Sequence, residues 1–176
     1  MTDSQKEFLK RVEIKNIKTM EGRDGLAINC TIYLDGKKIA HYRHDGNGGC
    51  AFIDAYPIKE DYKPNRKKLA EINELVSKFP KVDSEFSDDG LVVDLDWCVQ
   101  DLVEYKKIEK NMKKSILIGI SSKNVLGQNV PDSSYQVLSW KGISNLNQIK
   151  SEQLQKVIEN TRKTLKKGEV IFNTNL

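Results

Sequence analysis

The sequence predicts an α+β fold, in which an antiparallel β-meander of N-terminal strands, joined by two or three C-terminal strands, packs against about three helices. Three observations carry that prediction. Leu26 to Leu34 alternates apolar and polar residues almost without error, Asp35-Gly36 follows it as a hairpin turn, and from Leu69 the apolar period lengthens from two to three and four.

Taken in order, a polar leader precedes a first strand over 11–20, with Val12 and Ile14 on one face and an irregular pattern at Asn16 and Ile17. The next strand sets Leu26, Ile28, Cys30, Ile32 and Leu34 on one face and Ala27, Asn29, Thr31 and Tyr33 on the other. A type I′ turn at Asp35-Gly36 returns 37–44 antiparallel and brings Ile32 opposite Ile39, Cys30 opposite His41 and Ile28 opposite Arg43. His41 is thereby expected beside the core, and Tyr33, Lys38, Tyr42 and His44 on the more polar face. A longer turn would shift the partners but keep these faces. A third return strand follows over 50–56, ended by Pro57.

Leu69, Ile72, Leu75, Val76 and Phe79 then mark a helix from about Lys63 that Pro80 stops. Residues 81–93 read as an acidic connector containing Asp83, Glu85, Asp88 and Asp89, and Asp94 as the N-cap of a second helix that runs to about Lys114. Leu95, Cys98, Leu102, Tyr105 and Met112 form its inward stripe, and lysines gather at its C-terminal end. Strands over 115–120 and 135–140 flank a polar loop, 121–134, that contains Gly127 and Pro131. A third helix over 151–166, stopped by Gly168, and a short strand over 170–172 complete the chain.

A chain of 176 residues, 38% of them hydrophobic, can bury a core, and its length suggests a single domain, 1–176. No run approaches the ~18 consecutive apolar residues of a spanning helix, and Met1 to Glu7 is polar rather than signal-like. A cytoplasmic protein without a membrane partner is expected. Cys30, Cys50 and Cys98 are an odd, widely spaced set that suits neither a disulfide framework nor a zinc ribbon. The net charge is +4, and all but five of the 29 basic residues are lysine, which argues for a solvated surface ahead of a nucleic-acid face. The abundance of Lys, Asn and Ile fits coding by AT-rich DNA, as in low-GC bacteria and their viruses.

The densest chemical signal is Asp45-Gly46-Asn47-Gly48-Gly49-Cys50. Three glycines in four positions permit either an amide cradle for an anion or an elaborate turn, and the turn is the commoner use of glycine and asparagine. The loop matches neither GxxxxGK[ST] nor a dinucleotide fingerprint. His41 and His44 are three positions apart on a strand, so they point to opposite faces and do not readily share a metal. Cys50 with His44 or His41 as base is the alternative catalytic pair if the loop folds back to bring them together, though an isolated cysteine is more often inert. The acidic connector lacks the order of a calcium loop, so no metal or other cofactor is expected.

The run Ile32-Tyr33-Leu34-Asp35-Gly36-Lys37-Lys38-Ile39 followed by Asp45 to Cys50 resembles small uncharacterised proteins of bacteria and especially of their viruses, which share a YxDGKK hairpin and a DGxGGC turn. The likeness continues more faintly through Leu95 to Lys114 and Val170 to Asn173, covers about half the chain and brings no catalytic residues with it. It implies an accessory protein that a virus or mobile element directs against its host. The expected function is therefore binding rather than catalysis. Such a protein sequesters a phosphate-bearing small molecule such as a nucleotide signal, or blocks a host protein, with Arg43, His44, Gly46, Asn47, Gly48 and Gly49 as the ligand-binding set. A cysteine-dependent hydrolase or transferase and a nucleic-acid-binding accessory protein are the alternatives, and a homo-oligomer could assemble a site between subunits.

Overall fold

The structure, a computed structural model, describes residues 1–56, 63–85 and 87–173. Its elements are α1 (Asp3–Arg11), β1 (Val12–Glu21), β2 (Leu26–Leu34), β3 (Lys37–His44), β4 (Phe52–Ala55), α2 (Lys63–Val76), β5 (Val82–Ser84), β6 (Ser87–Leu91), α3 (Leu95–Met112), β7 (Ser115–Lys123), β8 (Asn129–Ser139), α4 (Ser151–Thr164) and β9 (Glu169–Ile171), with a 3-10 turn at Leu146–Gln148. This is the expected α+β class, with antiparallel sheets throughout. Pro57, expected to end the third return strand, lies outside the described residues, as does Phe86 within 81–93. The chain groups into two compact units, residues 1–103 with 125–127 and residues 104–124 with 128–176.

In the first unit β1 to β4 form a meander in sequence order. One face of this sheet buries Ile14, Ile28, Cys30, Ile32 and Tyr42 against Ile72, Val76 and Phe79 near α2 and against Leu95, Cys98, Val99 and Leu102 of α3. Burying each such aliphatic side chain is worth about 1.5–3 kcal/mol, so the helices are held by this one face. The polar leader proves to be helix α1. Thr2 and Gln5 form a reciprocal capping box, Phe8 is buried edge-on against Phe79 with ring centres 5.6 Å apart, and Gln5 Nε2 donates to the Val125 carbonyl at 2.8 Å.

The β2–β3 hairpin begins as expected, with Leu34 opposite Lys37 and Tyr33 opposite Lys38 around a turn whose residues Asp35 and Gly36 have φ of 49° and 74°. The expected register then fails. Ile39 has no partner of its own, so Ile32 faces Ala40, Thr31 faces His41, Cys30 faces Tyr42 and Ile28 faces His44. One extra residue in a strand moves every later side chain to the other face. Tyr42 is consequently fully buried, while His41 leaves the core face and His44 joins it, the reverse of the sequence expectation. A second irregularity lies where Asn16 and Ile17 broke the pattern, with Asn16 at φ 55°.

The acidic connector 81–93 is corrected to a small hairpin, in which Val82 of β5 faces Leu91 of β6 and Ser84 faces Ser87. Its carboxylates had hidden the short apolar pairing at its ends. Asp94 caps α3 as expected, its Oδ1 accepting from the Trp97 amide at 2.8 Å.

The second unit is a three-stranded sheet of order β8-β7-β9. The polar loop 121–134 is also corrected, because Ser121, Ser122 and Lys123 pair with Pro131, Val130 and Asn129 and leave only residues 124–128 as the turn. Polar residues extend both strands here, and Pro131 is tolerated because β8 is a sheet edge and the register shifts beside it. On one face Ile116 and Ile118 pack with Leu146 and with Leu154, Val157 and Ile158 of α4. On the other, Leu117 packs with Ile108 and Phe172. Asn173 closes this end by accepting from the Leu117 amide and donating to the Met112 and Ser115 carbonyls, all within 2.8 Å.

Candidate functional site

Two neighbouring features of the first unit bear on function, the glycine loop after β3 and the face of the four-stranded sheet on which no helix packs among the described residues. The loop is built largely by its own polar groups. Gly46 donates its amide to His44 Nδ1 at 3.1 Å, and Asn47 donates its amide to Asp45 Oδ1 at 2.9 Å. That second bond is the main reason the Asp45 carboxyl lies below its ordinary pKa. The Gly46 carbonyl accepts from Asp24 in the β1–β2 turn at 2.8 Å. Gly46, at φ 74°, is wedged there so closely that a Cβ would lie 2.7 Å from the Ala27 nitrogen and 2.9 Å from the Gly25 carbonyl oxygen. Gly22 faces it from the other side of the contact, where a Cβ would lie 2.5 Å from the Gly46 oxygen.

Gly48, at φ 79°, has the Asp24 side chain nearby, and Gly49 stands in open space. Two amides of the candidate cradle are therefore engaged within the loop, and two carboxylates, Asp24 and Asp45, flank it. Both features favour a turn over an anion site. Cys50 is exposed, and among the described residues no hydrogen bond joins it to His41 or His44. Cys30 and Cys98 are buried, and burial alone pushes the Cys30 thiol up to about 12. His41 places Nε2 2.8 Å from Asn29 Oδ1 on the outer face, whereas His44 shares the inner face with Ile28.

Arg43 stands apart from its sequence neighbours. Because of the bulge at Ile39 it lies on the outer face, in a row with Lys18, Asn29 and Phe52. Its guanidinium carbon sits 5.1 Å from the centre of the Phe52 ring, which is 56% exposed. The next row holds Lys15, Thr31, His41 and Asp54, and the one beyond it Glu13, Tyr33 and Lys38. Lys15 Nζ lies 4.8 Å from the centre of the Tyr33 ring, and Lys38 Nζ lies 3.5 Å from that of Tyr56. Met20, 72% exposed, continues the same face beside Ala27.

Charge is concentrated there against the trend of the unit. Residues 1–103 carry 16 basic and 19 acidic side chains, yet the outer face sets Lys15, Lys18, Lys38 and Arg43 against Glu13 and Asp54, and Glu13 is paired with Lys15 at 3.0 Å.

Asp96, which no sequence pattern singled out, ties this strand pair to α3. Its Oδ1 accepts from the Tyr42 hydroxyl at 2.6 Å and from Gln100 at 2.9 Å, while Oδ2 accepts from the Ala51 amide at 3.4 Å. Burial and this carboxylate together push the Tyr42 hydroxyl well above its ordinary pKa, so it stays protonated and donating. The inward Tyr42 thus anchors the strand whose next residue, Arg43, points outward. Comparison of the chain with protein-family models, with curated proteins and with solved structures finds no match.

Proposed function

We propose that the protein is a non-catalytic binding protein and that its ligand is a phosphate-bearing molecule held on the outer face of the β1–β4 sheet. The observation that carries this reading is the exposed Phe52 ring with the Arg43 guanidinium over it, set in a row with Lys18. An aromatic ring offers a stacking surface for a base, and a guanidinium beside it offers donors for phosphate. Arg43 belongs to the ligand set expected from sequence. In this reading the loop of Gly46, Asn47, Gly48 and Gly49 acts as the brace that holds the end of β3 against the β1–β2 turn.

The proposal extends to biological role. A protein that sequesters such a ligand suits an accessory of a phage or mobile element, and the YxDGKK hairpin and DGxGGC turn support that role by resemblance.

Titration calorimetry with AMP, ATP and a ten-residue oligo(dT) tests the reading. At least one of the three should bind, with affinity falling about ten-fold in Phe52→Ala and in Arg43→Ala. Gly49→Ala should leave it unchanged. Failure of all three to bind, or binding indifferent to both substitutions, would overturn it.

A further inference from the structure

We infer that the ligand of the outer face is a single-stranded nucleic acid several nucleotides long, an inference that rests on the binding role proposed above and specifies its ligand. Phe52 and Tyr33 lie two strands apart, and Asn29, which shares the row of Phe52, precedes Tyr33 by four residues on β2. At the usual strand spacing and rise, the two rings are separated by about 10 Å across the strands and about 13 Å along them. One nucleotide does not bridge that distance, whereas a strand laid diagonally over the sheet does.

The chemistry alternates over the same path. Lys18 and Arg43 stand in the row of Phe52, Lys15 lies between the two rows, and Lys38 stands beside Tyr33. Each of the rings of Phe52, Tyr33 and Tyr56 already carries a cation over it. Bases stacked on rings with phosphates met by interleaved cations is the general recognition mode of unpaired strands. A duplex conceals the base faces that these rings would stack on, and among the described residues this face presents no helix to enter a groove. The carboxylates on the face, Glu13 and Asp54, lie at its β1 and β4 sides, and Glu13 is neutralised by Lys15.

Fluorescence anisotropy with labelled ten-residue oligo(dT) and oligo(U), against a hairpin duplex of equal nucleotide count and against AMP as competitors, tests the inference. One or both single strands should bind at least ten-fold more tightly than the duplex or AMP. The slope of log affinity against log salt should be about −2, from phosphate contacts by Lys18, Lys38 and Arg43 at about 0.7 each. Phe52→Ala should weaken binding about ten-fold with that slope unchanged, whereas Lys18→Ala should reduce the slope by about 0.7. Both side chains are exposed, so circular dichroism should show the two variants folded as the parent.

AMP binding as tightly as the oligonucleotides, with Phe52 still required, would overturn the single-strand inference while leaving the phosphate-ligand reading intact. Duplex binding equal to single-strand binding would overturn it likewise. No binding by either labelled strand would overturn the single-strand inference, and the calorimetric titrations with AMP and ATP then decide the phosphate-ligand reading separately.

Discussion

At the scale of single residues, the glycine loop separates into positions with different physical duties. Gly46 is confined by backbone atoms on two sides and holds a left-handed φ, so Gly46→Ala should destabilise the protein by about 2–4 kcal/mol. Gly49 faces open space without a positive φ, and Gly49→Ala should change stability by no more than about 0.5 kcal/mol. Urea unfolding of the two variants checks this, and equal costs would mean the wedge at Gly46 is wrong. The buried Tyr42 supplies a second test. Tyr42→Phe removes a hydrogen bond to a carboxylate and should cost about 1.5–3 kcal/mol, while His41→Phe on the outer face should cost less than about 1 kcal/mol. The register expected from sequence assigns the larger cost to His41, so the order of the two values decides which face each residue occupies.

At the scale of elements, what the sequence disclosed depended on whether a pattern was local. Asp35-Gly36 and the alternation of Leu26 to Leu34 located the hairpin correctly, and the break at Asn16 and Ile17 coincided with a bulge in β1. The bulge at Ile39 also left a trace, because Ile39 and Ala40 are consecutive apolar residues and the apolar phase resumes at Tyr42 instead of His41. The Thr2 and Gln5 spacing of a capping box was a readable sign of α1. Other features had no local sign. Asp96 meets Tyr42 and Ala51 from 54 and 45 residues away, and Phe52 and Arg43 become neighbours only when β3 and β4 pair. The aromatic and basic residues interleave across strands rather than along them, and a linear reading passes over such an arrangement.

Arg11 links three elements, since its guanidinium at the end of α1 binds Asp35 in the hairpin turn and Glu71 of α2. Hydrogen bonding from Arg11 is the main cause holding the Asp35 carboxyl below its ordinary range. The pairing therefore contributes stability above the ordinary carboxylate pKa, and that contribution is lost as pH falls through the depressed folded value. Asp35→Asn keeps a residue that tolerates the left-handed turn but removes the charge. It should lower the urea midpoint at pH 7 and leave it equal to the parent's once both are measured below the folded pKa. A deficit that persists unchanged at low pH would assign the loss to the turn rather than to the ion pair.

For the molecule as a whole, the helices of the first unit pack on one face of a four-stranded sheet, and the opposite face gathers cations and exposed rings within a unit that is acidic overall. Concentrating charge against the sign of its surroundings sets up a local field that attracts polyanions only at short range, so binding should weaken steeply with salt. The most direct test of the binding role is backbone amide chemical-shift mapping of the whole chain with ten-residue oligo(dT) added. Shifts centred on Lys18, Asn29, Tyr33, Arg43 and Phe52 are expected, with Gly48 and Gly49 little affected. Shifts confined to Asp45 through Cys50 would return the site to the glycine loop, and a spectrum unchanged at millimolar oligonucleotide would contradict a single-stranded ligand on this sheet.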